Sequence, residues 1–139
     1  MSTSNEAKPA VAADNDFSKK TVADVLGQIV WLMTQSKEHR GLFLSDLEWA
    51  IMPPILSKQF KLYYHEGQPK GAVFWAMVDE ETKERLDGTA NPKLRLAEWR
   101  SGDIPYVVDA IAPTGDHRQL KIEFQKELDE ARSSEGQAP

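Results

Sequence analysis

The sequence contains no cysteine, which excludes cysteine nucleophiles, thiolate metal sites, redox switches and a disulfide-stapled scaffold. Any chemistry must use oxygen and nitrogen. Positive charge is also in short supply: 17 Lys and Arg stand against 22 Asp and Glu, a formal net charge of −5. A chain of that balance is repelled by phosphate backbones and anionic lipid surfaces, so nucleic acid is not an expected partner. No stretch approaches the roughly 20 consecutive apolar residues of a spanning helix. The polar start MSTSNEAKPA has neither the basic region nor the apolar core of a secretory signal, and a cytoplasmic location is the expectation. The sequence carries no Gly-x-Ser-x-Gly elbow, His-Glu-x-x-His pair, Walker loop or Gly-x-Gly-x-x-Gly turn. Three scattered histidines do not suggest a metal site, and no bound cofactor is expected.

What is present suffices for one core. At 139 residues and 40% apolar composition, the chain fits a single domain that needs no staple. Residues 1–16 are too polar to offset their ordering entropy and read as a mobile tail, 17–132 as the domain, and 133–139 as a solvated end. Thr21-Val22-Ala23-Asp24 is a weak capping box, and Val22, Val25, Leu26, Ile29, Val30 and Met33 follow at helical spacing to about Gln35. Ser45-Asp46-Leu47-Glu48 predicts a second, short helix disturbed at Pro53-Pro54. Residues 59–64 and 70–78 predict a hairpin, 79–86 an exposed helix, 87–92 a loop, 104–112 a strand, and a last helix starts near Asp116 with Leu120, Phe124 and Leu128 four apart. The layout is α+β (mixed α/β), with a mostly antiparallel central sheet flanked by helices.

Two residues stand out from this scaffold. Asp109 lies in Tyr106-Val107-Val108-Asp109-Ala110-Ile111-Ala112, where strict alternation gives it Val107 and Ile111 as same-face neighbours. A carboxylate on such a face must be paired or hydrogen-bonded, or reach solvent at a sheet edge. His39 stands in Ser36-Lys37-Glu38-His39-Arg40, just past the first helix, and loop positions suit catalysis. Together they would form a carboxylate–imidazole pair, the arrangement that orients a general base. His65 and His117 read as surface residues. Trp31, Trp49, Trp75 and Trp99 read as core, with aromatic walls of an acyl groove as the other option. Gly27, inside a helix at a cost of about 1 kcal/mol, marks either a close approach or tolerance of a poor helix former.

These residues form an ordered set. Leu26-Gly27-Gln28-Ile29-Val30-Trp31-Leu32, Ser36-x-x-His39-Arg40, Met52-Pro53-Pro54-Ile55 with Gln59-Phe60, Trp75-Ala76, Trp99-x-Ser101-Gly102-Asp103 and Asp109-x-Ile111-Ala112-Pro113-x-Gly115 resemble the lysine acyltransferases that activate RTX toxins such as hemolysin. The resemblance implies a GNAT-like fold and transfer of a fatty acyl group from acyl carrier protein, as its phosphopantetheine thioester, to internal lysines of an RTX protoxin. It places the functional His and Asp at His39 and Asp109 and the sensitive Gly and Ser at Gly27 and Ser36; Arg40 and Arg100, which flank the matched motifs, are read beside them as substrate-binding. His39 is then either general base or transiently acylated nucleophile. Lys37, Arg40, Lys58, Lys61 and Arg100 are the candidates for meeting an acidic carrier, and a homodimer is among the expected assemblies. Thr114 stands where Phe is common, Ala50 where Asn is expected, and only a short stretch follows Gly115. The alternative reading is therefore a non-catalytic, toxin-binding adaptor derived from the same family.

Overall fold

The computed structural model describes residues 20–89 and 92–137, with side chains up to residue 134. The tail expected over 1–16 and part of the loop at 87–92 lie outside the described residues. Helix α1 (Val22–Thr34) starts as its sequence predicts: the Thr21 hydroxyl accepts from the Asp24 N–H at 3.1 Å and the Asp24 carboxylate accepts from the Thr21 N–H at 3.0 Å. Its inner face buries Val25, Ile29, Leu32 and Met33. The second start differs. Ser45 caps nothing; Asp46 instead accepts the Phe43 N–H at 2.8 Å and the Trp49 indole N–H at 3.1 Å, closing a 3₁₀ turn over Leu44–Asp46. Helix α2 (Leu47–Ala50) follows and breaks at Ile51, and α3 (Met52–Leu56) opens with its prolines in the first turn, where a missing N–H does no harm.

Strands β1 (Phe60–His65) and β2 (Gln68–Val78) form the hairpin around Glu66-Gly67, both with positive φ (52° and 78°), the backbone that joins tightly twisted antiparallel strands. Helix α4 (Glu80–Asp87) is capped by Asp79, a 3₁₀ turn covers Leu96–Trp99, β3 spans Ile104–Ile111 and α5 spans His117–Gln137. The three strands make one antiparallel sheet in the order β1-β2-β3. Helical continuation to Gln137 replaces the solvated end expected from 133, because a helix already propagating tolerates Ser and Glu.

Both faces of the sheet are covered, which explains the near-continuous apolar run of β2. Ala72 and Phe74 pack with α1 and α3, while Ala76 and Val78 pack with Leu86, Leu94 and Trp99. On the opposite face Val73 packs with Val107, Ala110 and Phe124 of α5, and the Trp75 and Phe124 rings lie 5.1 Å apart. Helix α5 also closes the free edge of β3. The Gln125 side chain accepts from the Val107 N–H at 2.8 Å and donates to the Pro105 carbonyl at 2.9 Å, doing for that edge what another strand would do. Gly102 seats the approach to β3: a Cβ there would lie 2.4 Å from the Val78 carbonyl oxygen and 2.6 Å from the Asp79 nitrogen. No side chain fits in that space.

One irregularity decides where Asp109 points. Phe74 pairs with Asp109 and Trp75 with Val107, leaving Val108 as an extra residue in β3. This bulge breaks the strict alternation. Val107 faces α5, whereas Asp109 shares the other face with Ile111 and the Phe74 register. The expected pairing of Asp109 with Val107 on one face is therefore wrong, and the bulge is what re-aims the carboxylate.

Candidate active site

The chain after α1 turns back immediately, with the His39 and Arg40 amides both donating to the Ser36 carbonyl at 3.1 and 2.9 Å. That turn places the His39 ring against β3, and the bulge brings Asp109 to meet it. Nε2 of His39 lies 2.7 Å from Asp109 Oδ2, across 70 residues of sequence. On the other side of the ring, Nδ1 lies 2.6 Å from Ser36 Oγ, which is 3.2 Å from Glu38 Oε1. Both ring nitrogens are thus engaged. His39 is 5% exposed and Ser36 2%, while the Asp109 side chain is 40% exposed. The second Asp109 oxygen accepts from the Ala110 N–H at 2.9 Å. The imidazole is held behind its carboxylate, and the carboxylate is what solvent reaches.

This group forms one wall of a cavity of about 570 Å³. Apolar side chains make its other walls: Leu42, Trp49 and Ala50 from the segment after the His39 turn, Leu94 and Trp99 from before β3, and Val108 from the bulge. Trp99 is buried and its indole N–H has no hydrogen-bond partner. The start of α5 completes the rim with His117, Arg118 and Lys121. His117 Nδ1 lies 3.8 Å from Glu38. The Glu38 carboxyl is held below the ordinary range, first by its own backbone N–H, with His117 and the Ser36 hydroxyl adding to the effect. The cavity therefore joins apolar walls to an acid–base chain and a cluster of basic side chains. Among the described residues, no cluster of His, Asp and Glu could hold a metal ion.

The structure brings together Ser36, His39 and Asp109 from the residues singled out in the sequence. Gly27, Arg40 and Arg100 are exposed and do not line the cavity. A Cβ at Gly27 would meet nothing within 4 Å, so no neighbouring backbone requires that glycine. Of the four tryptophans, Trp31 is 46% exposed, Trp75 is packed under α5, and Trp49 and Trp99 line the cavity. Sequence reasoning missed Glu38, Arg118 and Lys121, and it took His117 for a surface residue. The available signal was the His117-Arg118-x-x-Lys121 spacing, which gathers three basic groups on neighbouring rows of one helix.

The sequence profile of the RTX toxin acyltransferase family matches residues 18–137. The chain belongs to that family. It is similar to the RTX-II toxin-activating lysine-acyltransferase ApxIIC of Actinobacillus pleuropneumoniae, with 35% identity over 106 residues covering 76% of this chain and 62% of the relative. It is also similar to the protein-lysine myristoyltransferase RtxC of Kingella kingae, with 34% identity over 101 residues, 73% of this chain and 60% of the relative. The protein-lysine myristoyltransferase HlyC of Escherichia coli is 30% identical over 111 residues, again 76% of this chain and 62% of the relative. The chain spans about three fifths of the length of these curated relatives.

Proposed function

We propose that this chain transfers a fatty acyl group from the phosphopantetheine thioester of acyl carrier protein to the ε-amine of internal lysines in an RTX protoxin, using His39 as general base and Asp109 to orient and stabilise it. The observation that carries this reading is the Ser36–His39–Asp109 chain at the wall of an apolar cavity, in a member of a family whose named relatives are lysine acyltransferases. We read residues 17–132 as a single, GNAT-like acyltransferase domain acting in the cytoplasm, with a homodimer among its candidate assemblies. No resident cofactor is required by this chemistry.

The chemistry needs a base. A lysine amine of pKa about 10.4 is neutral in only about one molecule in a thousand near pH 7.4, a deficit of roughly 4 kcal/mol. In the reaction the amine nitrogen bonds to the thioester carbonyl carbon, the carbon–sulfur bond breaks, the thiolate leaves, and the amine gives up a proton. With Asp109 ionised, the neutral ring keeps its single proton on Nε2 and donates it to that carboxylate, which leaves Nδ1 as the basic nitrogen, accepting from the Ser36 hydroxyl; the amine proton reaches it from the cavity along Glu38 and Ser36, each oxygen passing on one proton as it receives another. The resulting imidazolium finds both of its N–H groups satisfied: Nε2–H donates to Asp109 at 2.7 Å, and Nδ1–H donates to Ser36 at 2.6 Å, whose own hydroxyl donates to Glu38 at 3.2 Å. The site is preorganised for the protonated ring. The same contacts argue against direct attack by the imidazole on the thioester, since a buried ring with both nitrogens bonded has no lone pair aimed into the cavity.

The test is acyl transfer from a myristoyl thioester of acyl carrier protein to a purified RTX protoxin, followed by peptide mass spectrometry. Lysine acylation by the wild-type chain and its loss in a folded His39→Gln variant is the expected outcome. Wild-type acylation by that variant would remove His39 from the reaction. Protoxin binding without acylation by the wild-type chain would favour the adaptor reading.

A further inference from the structure

The cavity contains charge that acyl transfer by His39 and Asp109 does not use. Its two carboxylates are engaged: Asp109 by His39, and Glu38 by Ser36 and, more distantly, His117. The cations Arg118 and Lys121 line the same cavity, and among the described residues neither has a carboxylate within ion-pair distance. Lys121 is half-buried. The stem of a half-buried lysine packs while its ammonium stays toward the opening, so with Arg118 it leaves local positive charge at the cavity that an anion would complete. The two lie three residues apart on α5 and therefore stand on adjacent turns of one helix face.

We infer that Arg118 and Lys121 form an anion subsite at the cavity rim that takes the phosphate of the acyl donor's phosphopantetheine arm. This rests on the acyl-donor reading above and adds a binding determinant to it. An acyl chain, a thioester and a pantetheine amide are all uncharged, so the apolar wall and the acid–base chain account for them. The phosphate ester is the one part of such a donor that calls for uncompensated cations, and it sits at the end of the arm remote from the thioester. The catalytic pair and the two cations line the same cavity, so one donor can engage both. It also resolves how a chain of net charge −5 receives an anionic donor: the positive charge is local. The basic residues near the sequence motifs do not serve here. Lys37, Arg40, Lys58, Lys61 and Arg100 are absent from the cavity lining, and Lys61 sits against the Tyr63 and Phe124 rings under α5.

The experiment reads binding rather than turnover, using quenching of Trp49 and Trp99 in the cavity wall. Octanoyl-phosphopantetheine and octanoyl-pantetheine, which differ only in the phosphate, are titrated into the full chain, into Arg118→Gln, Lys121→Gln and the double variant. Wild type is expected to prefer the phosphorylated thioester by about tenfold, the worth of one partly solvated charge-assisted hydrogen bond. The double variant should lose that preference while binding octanoyl-pantetheine like wild type. Equal binding of the two thioesters by wild type, or equal weakening of both in the variants, would overturn the subsite. Octanoyl-coenzyme A and octanoyl acyl carrier protein then separate two sources of the same phosphate: a Lys121-dependent gain with the carrier alone assigns the subsite to the carrier's arm, and a gain with both assigns it to the arm in either setting. Failure of every thioester to bind would overturn the acyl-donor reading itself, a different result from binding without phosphate preference.

Discussion

Replacing Asp109 by Asn isolates the charge in the His39–Asp109 contact, because the amide keeps the shape and can still accept from Nε2–H. At 2.7 Å, the attraction between a carboxylate and an imidazolium is about 1.5 kcal/mol in bulk water and about 6 kcal/mol at the intermediate dielectric of a protein surface. Asp109 is 40% exposed while the ring is 5% exposed, which puts the effective value near the lower part of that span, about 2–3 kcal/mol. If the imidazolium forms in the transition state, kcat should fall on the order of 30- to 200-fold. Donor binding should change little, since the charge is needed only after the amine has lost its proton. The assay is single-turnover acylation of an RTX protoxin followed by mass spectrometry, run beside circular dichroism and thermal melting. A folded Asp109→Asn variant within threefold of wild type would refute the reasoning, because no charge-stabilised imidazolium would then be rate-determining.

Other consequences follow from the same packing. His39→Ala should abolish acylation and also lower stability by about 1–3 kcal/mol, because the ring is buried and its loss removes the hydrogen bonds to Ser36 and Asp109 and leaves a gap; chemical denaturation would show it, and an unchanged midpoint would contradict the burial. Gly102→Ala should destabilise by more than about 2 kcal/mol, since the added carbon meets the Val78 and Asp79 backbone. Gly27→Ala should stabilise by about 0.5–1 kcal/mol, as its Cβ enters open space on a helix; paired urea titrations compare the two, and reversed signs would refute the packing described. Asp24, Asp79 and Glu98 have carboxyls held below their ordinary range, chiefly by hydrogen bonds at turn and helix starts, and Glu38 is lowered first by its own N–H. Each therefore favours the fold fully above its unfolded pKa of about 4, and that contribution fades as pH drops through the lower folded value. Melting temperature should be flat above about pH 5 and fall below about pH 4; a rise on acidification would contradict the sign.

The sequence made some of this legible because local physics and tertiary context agree there. Thr21 and Asp24 cap α1 as their spacing predicts, and Glu66-Gly67 turns the hairpin where strand patterning stops. Asp109 stood out because a carboxylate in an apolar strand demands a partner, and His39 supplies it. The expected face holds for Ile111 and fails for Val107. A bulge at Val108 inverts alternation without leaving a mark in residue type, since Val108 itself is an ordinary strand residue. Ser45 reads as a cap on spacing alone, whereas Asp46 closes a 3₁₀ turn onto the Phe43 N–H and so puts Ser45 inside that turn, not ahead of a helix. His39 is legible as a catalytic candidate in a loop, but its burial is not, since nothing in its neighbours reveals that the turn folds inward against β3. The cations of α5 were invisible for a related reason: the apolar face through Leu120 and Phe124 signals where the helix packs, but not that its first turn reaches the rim of a cavity on β3.

The central claim is that this chain acylates lysine by way of His39. Its most direct test is the mass of an RTX protoxin co-expressed with the wild-type chain and, in parallel, with His39→Gln, with both chains checked for folding. The account predicts protoxin carrying added fatty acyl mass on internal lysines with the wild-type chain and unmodified protoxin with the variant. Unmodified protoxin in both, or equal acylation in both, would contradict it.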